Sequence, residues 1–434
     1  MSLFELYMRF NGYELKNAYN EVTSLSKMDN SKLADWKNEK KWEIFNYHLK
    51  YNSMYKNIAY NNSFDNWDEI PVIEKKNFQS NFFNNLSDGY NNKDLYIANT
   101  TGSSGHPFMF AKNKYAHSIS WAGVKLHYEN IGVDYLAKQA RFLGTPIDKK
   151  SAIKEKFKDM LMNRKRFDVY NLVDDNFSKI LDEFKSTNFK YIYGYANTML
   201  SFAKYLIKKN IILKKYCPSL SLCISTSEML FSKDRKIMSE AFGLTTYNEY
   251  GSSETSIIGI ENMAGHLITS DNLLVEILDD ENQPVKVGDT GKIVVTDLFN
   301  LAMPFIRYDI GDIGSLAYSE VGDRYYINQL FGRENDTIYL PSGKKSPGLT
   351  FYYISRSLLE NSSLHIEQFL IRQTKLNEFC FEIKAESKLS QYQMLIVKDE
   401  VSKYLEPNLE IIFSYPKKIE NISKGKIKHF FSEL

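Results

Sequence analysis

The chain has 434 residues, enough for two or three domains and too many for one small one. Hydrophobic residues make up 43% and charged residues 25%, the balance of a soluble globular protein rather than a disordered one. Lys and Arg number 55 against 53 Asp and Glu, a formal charge of +2, so nothing here marks a nucleic-acid binder.

The amino terminus lacks the basic start, unbroken apolar core and cleavage site of a signal peptide. No run approaches the ~20 apolar residues of a membrane helix, so the expected location is the cytoplasm, with no membrane partner. Apolar spacing at Trp42, Phe45 and Leu49 predicts helix, and Pro71 predicts a turn into a short helix. From residue 94, DLYIANTTGSSGHPFMF predicts strand, Gly/Ser turn, strand. Phe177, Ile180, Leu181 and Phe184 share one helical face, as do Leu200, Ala203, Leu206 and Ile207. The short apolar runs 191–196 and 221–226 between and after them predict buried strands. Strands alternating with helices imply an α/β core with a largely parallel sheet.

Residues 271–315 change pattern: LLVEILDD, a turn stretch and GKIVVTDL predict antiparallel strands. From about 334 a small α+β unit is expected, with a helix near 350–360, strands EQFLIR and EFCFEIK, a helix near 391–404, LEIIFSY and a basic, turn-rich tail. The predicted boundary lies in GREND, dividing 1–333 from 334–434. Cys217, Cys223 and Cys380 show no CxxC spacing and suit a reducing compartment; the seven histidines form no HxxxH or HExxH motif, so no structural zinc site is expected.

Five segments could carry chemistry. Thr100, Thr101, Gly102, Ser103, Ser104, Gly105, His106 and Pro107 form a loop whose backbone N–H groups and hydroxyls could hold phosphate, though it lacks the Gly-Lys-Ser/Thr ending of a Walker loop. In Tyr247–Thr255, Tyr250 could stack on a base, Gly251 permits close backbone approach, Ser252 is a further candidate for ATP binding, and Glu254 could hold Mg²⁺ beside phosphates. In RYDIGD, Asp312 follows a Gly turn and could accept both hydroxyls of a ribose. GREND contributes Arg333, and SKGKIK contributes Lys426. Each segment alone also reads as an ordinary turn, charged loop or exposed tail.

Together and in this order, they resemble the motifs of the AMP-forming adenylate-forming superfamily, nearest its phenylacetate–coenzyme A ligase-like family and the capsular-polysaccharide-biosynthesis branch. TTGSSGHP resembles TSGSTGxP, YGSSET resembles YGSTE, RYDIGD matches RYxxxD, GREND stands for GRxDD, and SKGKIK resembles SGKxxR. The resemblance runs from about residue 67 to the carboxyl terminus. It implies a large amino-terminal α/β domain with an antiparallel β subdomain and a small mobile α+β carboxyl-terminal domain. The implied activity is activation of a carboxylic acid by ATP as an acyl-adenylate, with transfer to coenzyme A or a carrier thiol. The alternative acceptor is an amine of a sugar or amino acid, and a noncatalytic nucleotide-binding scaffold is disfavoured by Glu254, Asp312 and Lys426.

By that resemblance, Thr100 to Gly105 cradle the β- and γ-phosphates, Ser227, Glu228 and Tyr250 bracket adenine, and Asp312 takes the ribose. Glu254 serves Mg²⁺, Arg333 sits near the nucleotide at the domain junction, and Lys426 bridges carboxylate and α-phosphate. Tyr193, Gly194 and Tyr195, with parts of 141–146 and 251–259, line the acyl pocket, and Gly343 faces the acceptor channel. A carrier protein is a further expected partner. Three positions depart from the pattern: Phe108 replaces a phosphate-loop lysine, Asn335 a hinge Asp or Lys, and Tyr339 a lysine after GRxDDxI.

Overall fold

The structure, a computed structural model, describes residues 2–59, 64–78, 81–99, 108–145, 149–169, 172–320, 323–333, 338–346, 354, 366–385, 387–416, 419, 422–423, 426–427 and 430–434. The described chain forms two units: residues 1–310 with 315–329, and residues 311–314 with 330–434. The division thus passes through the strands Tyr308–Ser319 and Arg324–Arg333.

An eleven-stranded sheet organises the chain. From one edge it runs Leu273–Leu278, Thr290–Asp297, Tyr308–Ser319, Arg324–Arg333, Leu267–Thr269, Ser256–Glu261, Thr245–Ser252, Leu222–Thr226, Tyr191–Tyr195, Gln139–Phe142 and Arg164–Arg166. The last five are mutually parallel. Leu273–Leu278 pairs antiparallel with Thr290–Asp297, as expected, and these strands continue the parallel ones within the same sheet.

The parallel strands carry different cores on their two faces because successive side chains point to opposite sides. Ala140, Phe142, Ile192 and Cys223 face the helices Asp174–Ser186, Ala196–Lys208 and Ser232–Phe242. Phenylalanines dominate there: Phe142 lies 5.1 Å from Phe167 and 5.6 Å from Phe202, and Phe184 lies 4.8 Å from Phe189. Ile207, expected on the buried stripe of Ala196–Lys208, is instead 44% exposed near the helix end. Tyr191, Leu222 and Ile224 point to the opposite face, under Leu3–Phe10 and Lys114–Asn130.

From Gln139–Phe142 the chain passes through the helix Lys149–Leu161 to the edge strand, then back across to Tyr191–Tyr195 on the other side. The winding therefore reverses between Gln139–Phe142 and Tyr191–Tyr195, and in such sheets the crevice beyond the carboxyl ends at that reversal receives ligands.

The amino-terminal helices, which carry no motif, are tied into the first unit. Arg324 donates through Nη2 to the carbonyls of Leu25, Ser26 and Met28, satisfying the carboxyl end of the helix Leu15–Ser26. His48 is fully buried, bonded to Ser87 Oγ at 3.0 Å and the Asn300 carbonyl at 2.9 Å, and burial lowers its pKa to about 4.

In the second unit, Ile366–Lys375 pairs antiparallel with Glu378–Ala385, and Glu410–Ser414 and Phe430–Ser432 add parallel strands at the two edges. The helix Gln391–Tyr404, begun by a Ser390–Gln393 capping box, buries Val397 and Val401 in a core with Phe379, Phe381 and Ile383. The tail expected to be turn-rich contributes Phe430–Ser432 to this sheet and a short hairpin, Ile422–Ser423 with Lys426–Ile427. The helix expected near 350–360 lies outside the described residues except at 354.

Candidate active site

Three sequence-predicted segments converge at the carboxyl ends of adjacent parallel strands. Register places Tyr195 beside Thr226 and Thr226 beside Glu249, so Tyr193–Tyr195, Ser227–Glu228 and Tyr250–Ser252 leave the sheet side by side. Ser227 is exposed and adopts a left-handed φ of 65°, turning the chain sharply where the strand stops. The Glu228 side chain accepts from the Asn197 backbone N–H at 2.8 Å, satisfying a donor at the start of Ala196–Lys208.

Tyr250 is half-buried, and a β-bulge follows it. At Gly251 a Cβ would stand 2.3 Å from the Ser256 carbonyl oxygen, so only glycine permits this return. Ser252 Oγ accepts from the Thr255 N–H at 3.0 Å, closing the turn that carries Glu254. Glu254 is 9% exposed, and its Oε1 accepts from the Tyr308 hydroxyl at 3.0 Å. That bond joins the YGSSE and RYDIGD segments across 54 residues of sequence.

Tyr308 is fixed by its neighbour. Arg307, 0% exposed with φ 45°, sends Nη1 to the carbonyls of Asp68 and Ile70 and approaches Glu276 at 3.4 Å. Asp309 and Ile73 extend the same clamp through backbone hydrogen bonds. RYDIGD is therefore no Gly turn: it runs as the continuous strand Tyr308–Ser319, bent at Gly311 with φ 78°. Phe108, the replacement for a phosphate-loop lysine, is buried and stacked 5.5 Å from Phe78 as part of the core.

The acyl-pocket expectations divide. Gly194 is packed so tightly that a Cβ would lie 2.4 Å from the Phe142 carbonyl oxygen, so it offers backbone alone. Tyr193 does not present a free hydroxyl: it donates to Glu249 Oε1 at 2.7 Å, while Tyr128 donates to Oε2 at 2.8 Å. Burial raises the Glu249 pKa, opposed by hydrogen bonds from Tyr193, Tyr128 and Thr226, and both tyrosine hydroxyls are raised in turn. Arg141 stacks 4.9 Å over the Tyr193 ring and donates to Gln139 at 2.8 Å. Glu249 had no assigned role in the sequence, and Arg141 entered only within the stretch 141–146 expected at the acyl pocket. The one available signal was a charged residue inside a strand of buried type.

Asp312, Arg333 and Lys426 belong to the second unit. Asp312 is half-buried in Tyr308–Ser319, Arg333 ends Arg324–Arg333, and Lys426 opens the strand Lys426–Ile427. Gly343, with φ 81°, makes the turn between Ile338–Tyr339 and Lys345–Ser346. Thr100, Thr101, Gly102, Ser103, Ser104, Gly105 and Asn335 lie outside the described residues. Among the described residues no three His, Cys, Asp or Glu side chains form a metal cage.

No protein-family model matches the chain. Over 108 residues it is 35% identical to a phenylacetate–coenzyme A ligase of Thermus thermophilus, a stretch covering 23% of this chain and 24% of that ligase. The chain thus matches about a quarter of that curated relative's length. A 2-hydroxyisobutyryl-CoA ligase in its postadenylation state superposes with a TM-score of 0.65 at 13% identity, covering 91% of this chain and 88% of that one. The amide bond synthetase McbA of Marinactinospora thermotolerans gives 0.55 at 13% identity, with 79% and 69% covered. The fold is that of adenylate-forming enzymes: a large sheet-centred part and a smaller α+β part.

Proposed function

We propose that this protein is an AMP-forming carboxylate ligase: it joins a carboxylic acid to the α-phosphate of ATP, releases pyrophosphate and passes the acyl group to coenzyme A or a carrier thiol. The observation that carries this reading is the Tyr308–Glu254 hydrogen bond, which brings two distant motif segments together at the carboxyl ends of a sheet with the adenylate-forming fold. A free carboxylate is a poor acyl donor because oxide would have to leave; as an adenylate it loses AMP instead. The task is to gather two anions and stabilise charge growing on the α-phosphate, which positioned dipoles and cations accomplish.

In this reading the bend at Ser227 and the Tyr250 ring bracket adenine, and the Thr100–Gly105 loop binds the β- and γ-phosphates. Glu254 fits Mg²⁺, since that ion is held by one or two carboxylates together with substrate phosphates rather than by an all-protein cage. The ion would supply charge neutralisation, while Tyr308 holds the carboxylate in place. Asp312 takes the ribose hydroxyls, Arg333 lies near the nucleotide, and Lys426 meets the carboxylate and α-phosphate as a compact cation with three donors. The likeness to McbA supports a second reading, in which the acceptor is an amine and the product an amide of the kind needed in polysaccharide synthesis. Action in the cytoplasm and a carrier-protein partner belong to the same proposal.

The test is pyrophosphate release from ATP and Mg²⁺ over a panel of aryl, alkyl, amino and sugar acids without acceptor, with Lys426→Ala as control. Release with one acid, lost by about 100-fold or more in the variant, is expected. Silence with every acid would overturn the reading. Adding coenzyme A or amines to the active acid then decides the acceptor.

A further inference from the structure

Arg141 lies beside the reversal between Gln139–Phe142 and Tyr191–Tyr195, and Arg164, which opens the edge strand Arg164–Arg166, stands on the same face of the sheet. Arg141 pairs in register with Tyr193 and Arg166, and Arg164 pairs with Gln139, one pleat away from Arg141. The Nε atoms of both Arg141 and Arg164 are buried and hydrogen-bond to nothing among the described residues. Neither guanidinium lies within 4.0 Å of a described carboxylate, and each contacts an aromatic ring, Tyr193 for Arg141 and Trp121 at 5.9 Å for Arg164.

The nearby acids are already engaged. Asp159 takes Arg166 through both oxygens at 2.8 and 3.0 Å, and Glu155 is shared between Lys158 and Arg166. Glu249 is occupied by the hydroxyls of Tyr128 and Tyr193. Among the described residues, four cations (Arg141, Lys158, Arg164, Arg166) thus face three acids (Glu155, Asp159, Glu249), and Arg141 and Arg164 are the two that no described carboxylate takes in an ion pair. Burial, and after it the charge of Arg141, pushes Arg164 down to about 10, against the opposing pull of Tyr191, Asp159 and Tyr193. Holding buried guanidinium donors unpaired is unfavourable unless something with the opposite charge binds there.

We propose that Arg141, supported by Arg164, is a specificity-determining residue that binds a second anionic group on the acid, so that the substrate is a dicarboxylic acid activated at one end. The inference rests on the carboxylate-ligase reading and names its substrate class. A planar guanidinium matches a carboxylate in two parallel hydrogen bonds, which a monocarboxylic chain of equal length cannot supply at its far end. Tyr193, pinned by Glu249, holds the guanidinium plane from below.

The experiment measures pyrophosphate release with length-matched pairs: succinate against butyrate, adipate against hexanoate, terephthalate against benzoate. The expected result is a kcat/KM ratio favouring at least one diacid by about tenfold or more over its monoacid. In Arg141→Gln that ratio should fall about tenfold, through KM rather than kcat, with Arg141→Lys intermediate and Arg164→Gln a smaller fall. Because the readout is a ratio within one preparation, partial misfolding does not imitate it. Monoacids preferred by the wild type, or an unchanged ratio in Arg141→Gln, overturn the proposal while leaving adenylation standing. Should no acid release pyrophosphate, the ligase reading fails, and calorimetric titration of the full chain decides this site independently. Succinate or adipate binding lost in Arg141→Gln supports it; no binding, or equal binding, overturns it.

Discussion

The two faces of the parallel strands are built from alternating residues of the same short segments, yet they differ in kind. Phe142 points into a dry stack of phenylalanines with Phe167, Phe184 and Phe202, while Arg141 beside it points at Tyr193 with its Nε unpaired. The apolar face holds the sheet to its helices by close packing. The polar face carries buried charge, aromatic hydroxyls and a histidine, groups that weaken folding unless each finds a partner. Separating the roles by a strand period of two lets one backbone serve stability and recognition at once.

The contrast is broken most strongly from the apolar side. Phe202→Ala removes a fully buried ring from the stack and should cost about 3–5 kcal/mol, seen as a lower denaturant midpoint with an unchanged order of acid preference. A changed preference would show that the two faces are not independent. Gly194→Ala, which forces a Cβ to within 2.4 Å of a backbone oxygen between the two strands, should cost about 3 kcal/mol and disturb both faces.

Acid should weaken the fold at its buried histidines. His117 is enclosed by Tyr13, Tyr96 and Trp121, and its Nε2 accepts from the Trp121 indole N–H at 3.0 Å, so it is held neutral. Burial and the charges of Lys112 and Lys158 lower its pKa to about 3 from 6.5. Below pH 6.5 the unfolded chain takes up a proton that the native state refuses, so stability falls with falling pH, and goes on falling until the folded pKa is reached. The loss by pH 5 is about 1–2 kcal/mol. Denaturant unfolding at pH 7 and pH 5 measures it, and His117→Gln, which keeps an acceptor for Trp121, should flatten the slope. His48, with its pKa lowered to about 4, adds a loss of the same sign that survives in that variant.

The smallest change sharpens the site itself. Tyr308→Phe deletes the hydroxyl that donates to Glu254 Oε1 and should cost about 1 kcal/mol, roughly a fivefold fall in kcat/KM for pyrophosphate release. Raising Mg²⁺ should recover part of that loss if the role of Tyr308 is to orient a carboxylate for the ion.

Much of the fold was legible locally. The spacing of Phe177, Ile180, Leu181 and Phe184 and the apolar runs around 192 and 223 found their helix and strands, because burial imposes a period that survives in one dimension. The stretch around 308–313 was misread as a turn because a glycine with positive φ bends a strand as readily as it ends one. The role of Glu249 was invisible for another reason: its partners Tyr193 and Tyr128 come from 56 and 121 residues away, and no local pattern records such distances.

The sequence by itself determined which segments are periodic and buried, the order of the motif segments, and the presence of YGSSE and RYDIGD as units. Only the tertiary structure decided that Tyr308 and Glu254 meet, that Gly194 has no room for a side chain, and that Arg141 and Arg164 stand together with no ion-pair partner among the described residues. The physical reason is that secondary structure follows from interactions within a few residues, whereas the chemistry of a site depends on which side chains the sheet order and register bring within hydrogen-bonding distance.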